Sequence, residues 1–193
     1  MTVTLPTSPG FSNVKPYLID PGGIERSALG GASQRINRMG WRFGMDCALP
    51  PLESPLAEKW VAQLNAGQSQ GVIFNVSQPN IVVVPANLRI RVASAGTVLS
   101  VENAAPGYLI RSGQFISFVV SGKIYCCQVF DDVTFPSSGQ AVVGLVTPLR
   151  VLVSVATPLE IVAPKIEAWL VDDRSWDIDK ARLYGVSFKV KEK

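Results

Sequence analysis

Trp41-Arg-Phe-Gly-Met-Asp-Cys-Ala-Leu49 runs straight into Pro50-Pro-Leu-Glu-Ser-Pro-Leu-Ala-Glu-Lys-Trp-Val-Ala-Gln-Leu-Asn-Ala-Gly67, and a change of period between the two halves decides the fold. In the first half Trp41, Phe43, Met45, Cys47 and Leu49 alternate with Arg42, Gly44, Asp46 and Ala48. A period of two marks a half-buried strand, and Pro50-Pro51 stops it. In the second half Leu56, Trp60 and Leu64 recur every four residues, with Ala57 and Val61 beside them. Ser54 is placed to cap a helix, Pro55 to open it and Gly67 to close it. The spacing predicts a helix over 55–66 with a single apolar stripe against a sheet.

Working outward, the remainder reads as β. Leu88, Ile90 and Val92 alternate with Arg89 and Arg91. The runs 115–120 and 123–129 flank Ser121-Gly122, a two-residue hairpin signal. Further strands are expected at 141–146, 151–156, 167–171 and 183–190, with Tyr184, Val186, Phe188 and Val190 on one face of the last. Between Val92 and Pro148 the charged residues are only Glu102, Arg111, Lys123, Asp131 and Asp132. This Gly-punctuated, nearly uncharged segment reads as a compact barrel set between more charged flanks. The expected fold is mainly β with one α-helix: a β-sandwich or split barrel carrying an inserted small β-barrel. Residues 1–33, dense in proline and glycine, form an extended N-terminal arm, lying on its own domain or reaching a neighbouring subunit. Residues 34–75 and 160–193 form a discontinuous β domain with the helix, and 76–159 the insertion.

The 193 residues are 47% apolar and 17% charged, the latter low against a usual value of about 25%. Mean hydropathy is +0.24. No apolar run approaches the length that crosses a bilayer; Ile81-Val82-Val83-Val84 stops at Pro85. The reading is a water-soluble chain that hides apolar surface once in folding and again against partners. Net charge is +3, without the clustered basic footprint of a nucleic-acid binder. No basic and apolar leader opens the sequence, so no signal peptide is expected.

The chain has no histidine, which removes Ser-His-Asp and Cys-His nucleophile systems and the commonest metal ligand. Cys47, Cys126 and Cys127 lack metal-ligand spacing, and adjacent cysteines on a strand point to opposite faces. No metal and no cofactor is expected. The pairs Asp131-Asp132 and Asp172-Asp173 read as turn residues, since neighbouring side chains diverge and do not converge on one bond. Gly22-Gly23 and Gly30-Gly31 lack the lysine and preceding strand of a phosphate loop. Arg35, Arg38 and Arg42 form a small basic cluster; Arg35 and Arg38 converge only if their segment is helical.

Several stretches carry a resemblance. They are Arg35-Ile-Asn-Arg-Met-Gly-Trp-Arg-Phe43, the helix with Trp60 and Ala66-Gly67, and Gly107-Tyr-Leu-Ile-Arg-Ser-Gly-Gln-Phe-Ile116. The hairpin with Tyr125, Thr147-Pro-Leu-Arg150 and Leu183-Tyr-Gly-Val-Ser-Phe188 complete the set. Over about half its length the chain resembles small tail-structure proteins of long-tailed bacteriophages, most of all the distal tail proteins. The resemblance implies a β-sandwich or split barrel flanked by a helix and shared with tail-tube subunits. It implies six copies in a ring around the DNA channel, joining the tail tube to the baseplate hub. The implied partners are copies of itself, the tail-tube protein, and hub and tail-tip proteins. DNA would be only a passing cargo, with no membrane partner, and the location would be the virion tail after synthesis in the host cytoplasm. Arg35, Arg38, Arg42, Arg89 and Arg91 are the candidate interface residues. The short apolar centre departs from relatives with large carbohydrate-binding domains, so receptor binding is not expected of it. Tube, terminator and connector subunits are the alternative ring positions. From other classes, a β-barrel sugar or peptide module would use Phe115, Phe118, Tyr125 and Phe130, and a hydrolase would use Asp131 or Asp173.

Overall fold

Period-two segments dominate the chain, and they fold as strands around one helix. The structure is a computed structural model that describes residues 2–26, 30–36, 38, 40–78, 81, 87–178 and 183–193, the side chains of 172–175 excepted. In chain order the elements are β1 (Val3–Thr4), β2 (Asn13–Ile19), β3 (Gly23–Arg26), β4 (Ser33–Ile36) and β5 (Arg42–Ala48). Helix α1 (Ser54–Gln70) and β6 (Val72–Asn75) follow. The middle supplies β7 (Arg89–Val92), β8 (Val98–Glu102), β9 (Leu109–Ile110), β10 (Phe115–Val120) and β11 (Lys123–Gln128). Then come β12 (Val133–Thr134), β13 (Ala141–Gly144), β14 (Leu159–Glu160), β15 (Lys165–Ile178) and β16 (Tyr184–Glu192).

A six-stranded sheet in the order β1-β6-β15-β16-β5-β2 is the largest element. Its pairs are antiparallel except β1 beside β6. The alternation expected from 41–49 is present: Phe43, Met45 and Cys47 are buried, while Trp41 is half-buried just before the strand. Val186, Phe188 and Val190 of β16 join them on the same core face, as do Ile166 and Ala168 of β15. Phe11 plugs this core edge-on against Trp60, Phe74 and Phe188, at ring-centroid distances of 5.9, 5.6 and 6.0 Å. Residues 2–19 therefore lie on their own sheet.

The helix runs one turn beyond 55–66. Glu53 precedes it in extended backbone, and Ser54 contributes no side-chain cap. The close comes not at Gly67 but at Gly71, whose φ of 82° lies in the left-handed region and whose N–H donates to the Gly67 carbonyl at 2.7 Å. Gly67 remains inside because Val72 presses on it where a Cβ would stand. The buried stripe is Ala57, Trp60, Leu64 and Gly67, and Leu56 is turned outward.

Residues 88–161 supply a second core, with Ile90, Leu99, Ile110, Ile116, Phe135 and Ile161 at its centre. Three small sheets surround it, β13-β8-β7, β12-β9 and β11-β10-β14. None closes on itself, so the expected inserted barrel is an open assembly of short sheets. Strands of two to six residues, broken by positive-φ glycines at 107, 113 and 139, are too short to carry a continuous ladder around the core. The strand expected at 151–156 is likewise not one: it makes an isolated bridge from Val153 to Ser94, and the Ala156 N–H donates to the Ile90 carbonyl at 2.7 Å, with no continuous ladder. The hairpin at Ser121-Gly122 is as expected, with φ of 51° and 76° at the two turn residues. β10 and β11 separate the two cores. Phe115 and Cys126 belong to the first, Ile116, Phe118 and Cys127 to the second. Among the described residues no helix is long and apolar enough to cross a membrane.

Candidate functional site

Within the arm sequence, β3 and β4 form a two-stranded ribbon in the register Gly23↔Ile36 to Arg26↔Ser33. Its base is fastened by Asp20. The Oδ1 atom accepts from the Gly22 N–H at 2.7 Å, and Oδ2 accepts from Arg35 Nη2 at 2.9 Å. Beyond that base the ribbon is bare. All four residues of β3 and the first three of β4 are exposed, and Ile24 retains 65% of its accessible surface. Ile24 stands opposite Arg35, and Arg26 lies two residues along on the same face. An isolated two-stranded ribbon is at best marginally stable in water.

The five candidate arginines do not converge. Arg35 is on β4, exposed Arg38 follows it and Arg42 begins β5, with no helix among the described residues of the stretch. Arg89 and Arg91 are exposed on β7 with buried Ile90 between them. They occupy the outward face of the sheet β13-β8-β7. Val92, Val98 and Val142 are exposed on it, opposite buried Ile90, Leu99 and Val143, and half-buried Ser100 and Glu102 share it, Glu102 standing opposite Arg89. Phe130 extends it, because its N–H donates to the Gly144 carbonyl at 2.9 Å, one step from Val142. Phe130 and Val142 keep 60% and 61% of their surface. Exposed Asp131 and Asp132 follow immediately, the latter accepting from the Ser112 N–H at 2.7 Å. The pair ends a strand, as its turn reading requires. Asp172 and Asp173 fall in the irregular stretch of β15, and their side chains lie outside the described residues.

A polar seam joins the two cores. Glu192, 1% exposed, accepts from Phe43 N at 3.2 Å and Cys126 N at 3.1 Å and pairs with Arg150. Arg150 also donates to the Lys193 carbonyl at 2.7 Å and lies 5.3 Å from the Tyr125 ring centroid. Burial pushes the Glu192 carboxyl up from its ordinary value, with Arg150 and the two N–H groups opposing. Glu167 accepts from Thr2 Oγ1 at 2.8 Å, Lys193 Nζ at 3.0 Å and Ile124 N at 3.3 Å. Burial pushes its carboxyl up, but those donors together outweigh burial and hold it below the ordinary value. Gln78 stitches the junction again, bonding the Phe115 N–H and the carbonyls of Phe115 and Ile161. Glu167, Glu192, Gln78 and Lys193 were not singled out from the sequence; Tyr125 and Arg150 were, in other roles. One signal was present: the inward period Val186, Phe188, Val190 lands next on Glu192.

The aromatic set proposed for a sugar or peptide site is brought together only in part: Phe118 and Tyr125 stack across β10 and β11 at 5.9 Å between ring centroids. Phe115 and Phe118 are buried in different cores, Tyr125 is half-buried beside Arg150, and Phe130 alone is exposed. Clefts among the described residues include one of about 250 Å³ among Phe118, Val119, Ile124 and Leu159, and one of about 410 Å³ between α1 and residues 4–8. Burial, reinforced by Asp46, pushes the Cys47 thiol up to about 12. Burial also raises Cys127 to about 12, and Cys126 as well, which makes all three poor nucleophiles. No group of His, Cys, Asp or Glu among the described residues could hold a metal. The fold and these surfaces define a β-rich chain with one helix and an unpartnered ribbon. Comparison with known proteins matches it to no family model and to no curated protein.

Proposed function

We propose that this chain is a structural subunit of a bacteriophage tail, acting by self-association into a ring at the distal end of the tail tube. In the virion that ring would join the tube to the baseplate hub and leave a channel for DNA. The observation that carries the reading is the bare ribbon β3–β4, which buries none of its first seven strand residues against its own chain. A ribbon of that length gains its missing apolar and backbone contacts from another surface, and a repeated subunit supplies one. The open edge of β2, an outer strand of the large sheet, offers a second route for continuing the structure between subunits. The sequence resemblance to distal tail proteins points the same way.

The test is sedimentation and electron microscopy of the purified chain over a wide concentration range. Closed rings that grow in population with concentration are the expected result. A lone monomer throughout, also absent from dissected tail particles, overturns the reading.

A further inference from the structure

The ribbon and the outward face of the sheet β13-β8-β7 have complementary chemistry. One face of the ribbon presents Ile24 with Arg26 and Arg35 on either side of it, by strand register. Arg35 holds Asp20 only through an exposed pair, with 60% of the arginine side chain accessible, so that contact constrains it little. The sheet face presents exposed Phe130 and Val98 on either side of Gly144 and Val142 two residues along the same strand, bordered at the Phe130 end by exposed Asp131 and Asp132. A monomeric fold gains nothing from leaving Phe130 and Val142 bare beside each other. At the Phe130 end the two surfaces answer each other in kind: an aliphatic side chain between two cations on one, apolar side chains beside two anions on the other, with Arg89 and Arg91 two strands away on β7.

We infer that the β3–β4 ribbon of one copy docks on the Phe130–Val142 face of a second copy, with Ile24 on those apolar side chains and Arg26 and Arg35 toward Asp131 and Asp132. The contact is heterologous, because ribbon and receiving face are different surfaces, so each subunit donates once and receives once, as a ring requires. The inference rests on the ring-forming reading and names the contact that would build it. Asp131 and Asp132, which read as turn residues, gain a role in recognition rather than in bond cleavage.

The experiment is a charge exchange in the full chain, read by sedimentation. Arg26→Glu with Arg35→Glu, and separately Asp131→Lys with Asp132→Lys, each place like charges at the contact. Each pair weakens self-association by about tenfold or more at low salt. Combining all four substitutions restores it. Phe130→Asp weakens it without any exchange of charge partners, and circular dichroism confirms that each variant is folded. Association of the charge-reversed variants equal to wild type overturns this contact and leaves the ring reading standing. Loss without recovery in the combined variant also overturns the pairing. A wild-type chain that never associates overturns both.

Discussion

Glu167 and Glu192 are buried carboxylates of opposite sign in their effect on folding. Donors from Lys193, Thr2 and Ile124 hold Glu167 below its ordinary value despite burial. Its stabilisation is therefore present above the ordinary carboxylate range and is lost as pH falls through the lowered folded value. Burial holds Glu192 above its ordinary value, so its contribution runs the other way and declines as pH climbs toward that raised value. Urea unfolding across pH should show Glu167→Gln costing about 1.5–3 kcal/mol at neutral pH, with the gap to wild type closing in acid. A gap independent of pH would remove the charge from the account. Of the residue-scale features, the cysteines were legible: adjacency on a strand sends Cys126 and Cys127 to different cores. The seam was not. Glu192 and Arg150 lie far apart in sequence, and nothing local distinguishes a paired buried carboxylate from a solvated one.

At the scale of elements, the helix shows how a correct period can carry a wrong phase. Leu56, Trp60 and Leu64 and the stripe Ala57, Trp60, Leu64 and Gly67 both fit helical spacing. The sheet selects the second because small residues at 57 and 67 admit close approach, as Val72 against Gly67 demonstrates. Trp60→Ala should cost about 3–5 kcal/mol in denaturant unfolding, whereas Leu56→Ala should stay within about 0.5 kcal/mol. Equal losses at the two positions would mean that the stripe faces elsewhere. Strand existence was legible wherever alternation spanned five or more residues, as in 41–49 and 183–190. It failed at 151–156, where β-branched residues read as a strand but pairing is limited to an isolated bridge and one further backbone bond. Barrel closure depends on strand length and stagger between distant segments, and no local pattern reports either.

For the molecule as a whole, two cores share one pair of strands and one polar seam, so they should unfold together. Pulsed thiol labelling read by mass spectrometry separates the Cys47 peptide, from the first core, from the peptide holding Cys126 and Cys127. One denaturant midpoint, coincident with tryptophan fluorescence, is the expected result. Labelling of Cys47 and Cys126 ahead of Cys127 would show that the first core opens alone. The proposed docking surfaces were only half visible beforehand: Arg35, Arg38 and Arg42 were named as a cluster, but Arg35 lies on the ribbon and Arg42 on β5. The strand pair between the cores carries a further consequence. Because Cys126 looks one way and Cys127 the other, a slip of one position along β11 would turn two interiors inside out at once. The tight reversal at Ser121-Gly122 thus acts as a reading frame for both halves, and a single residue inserted there would garble each of them.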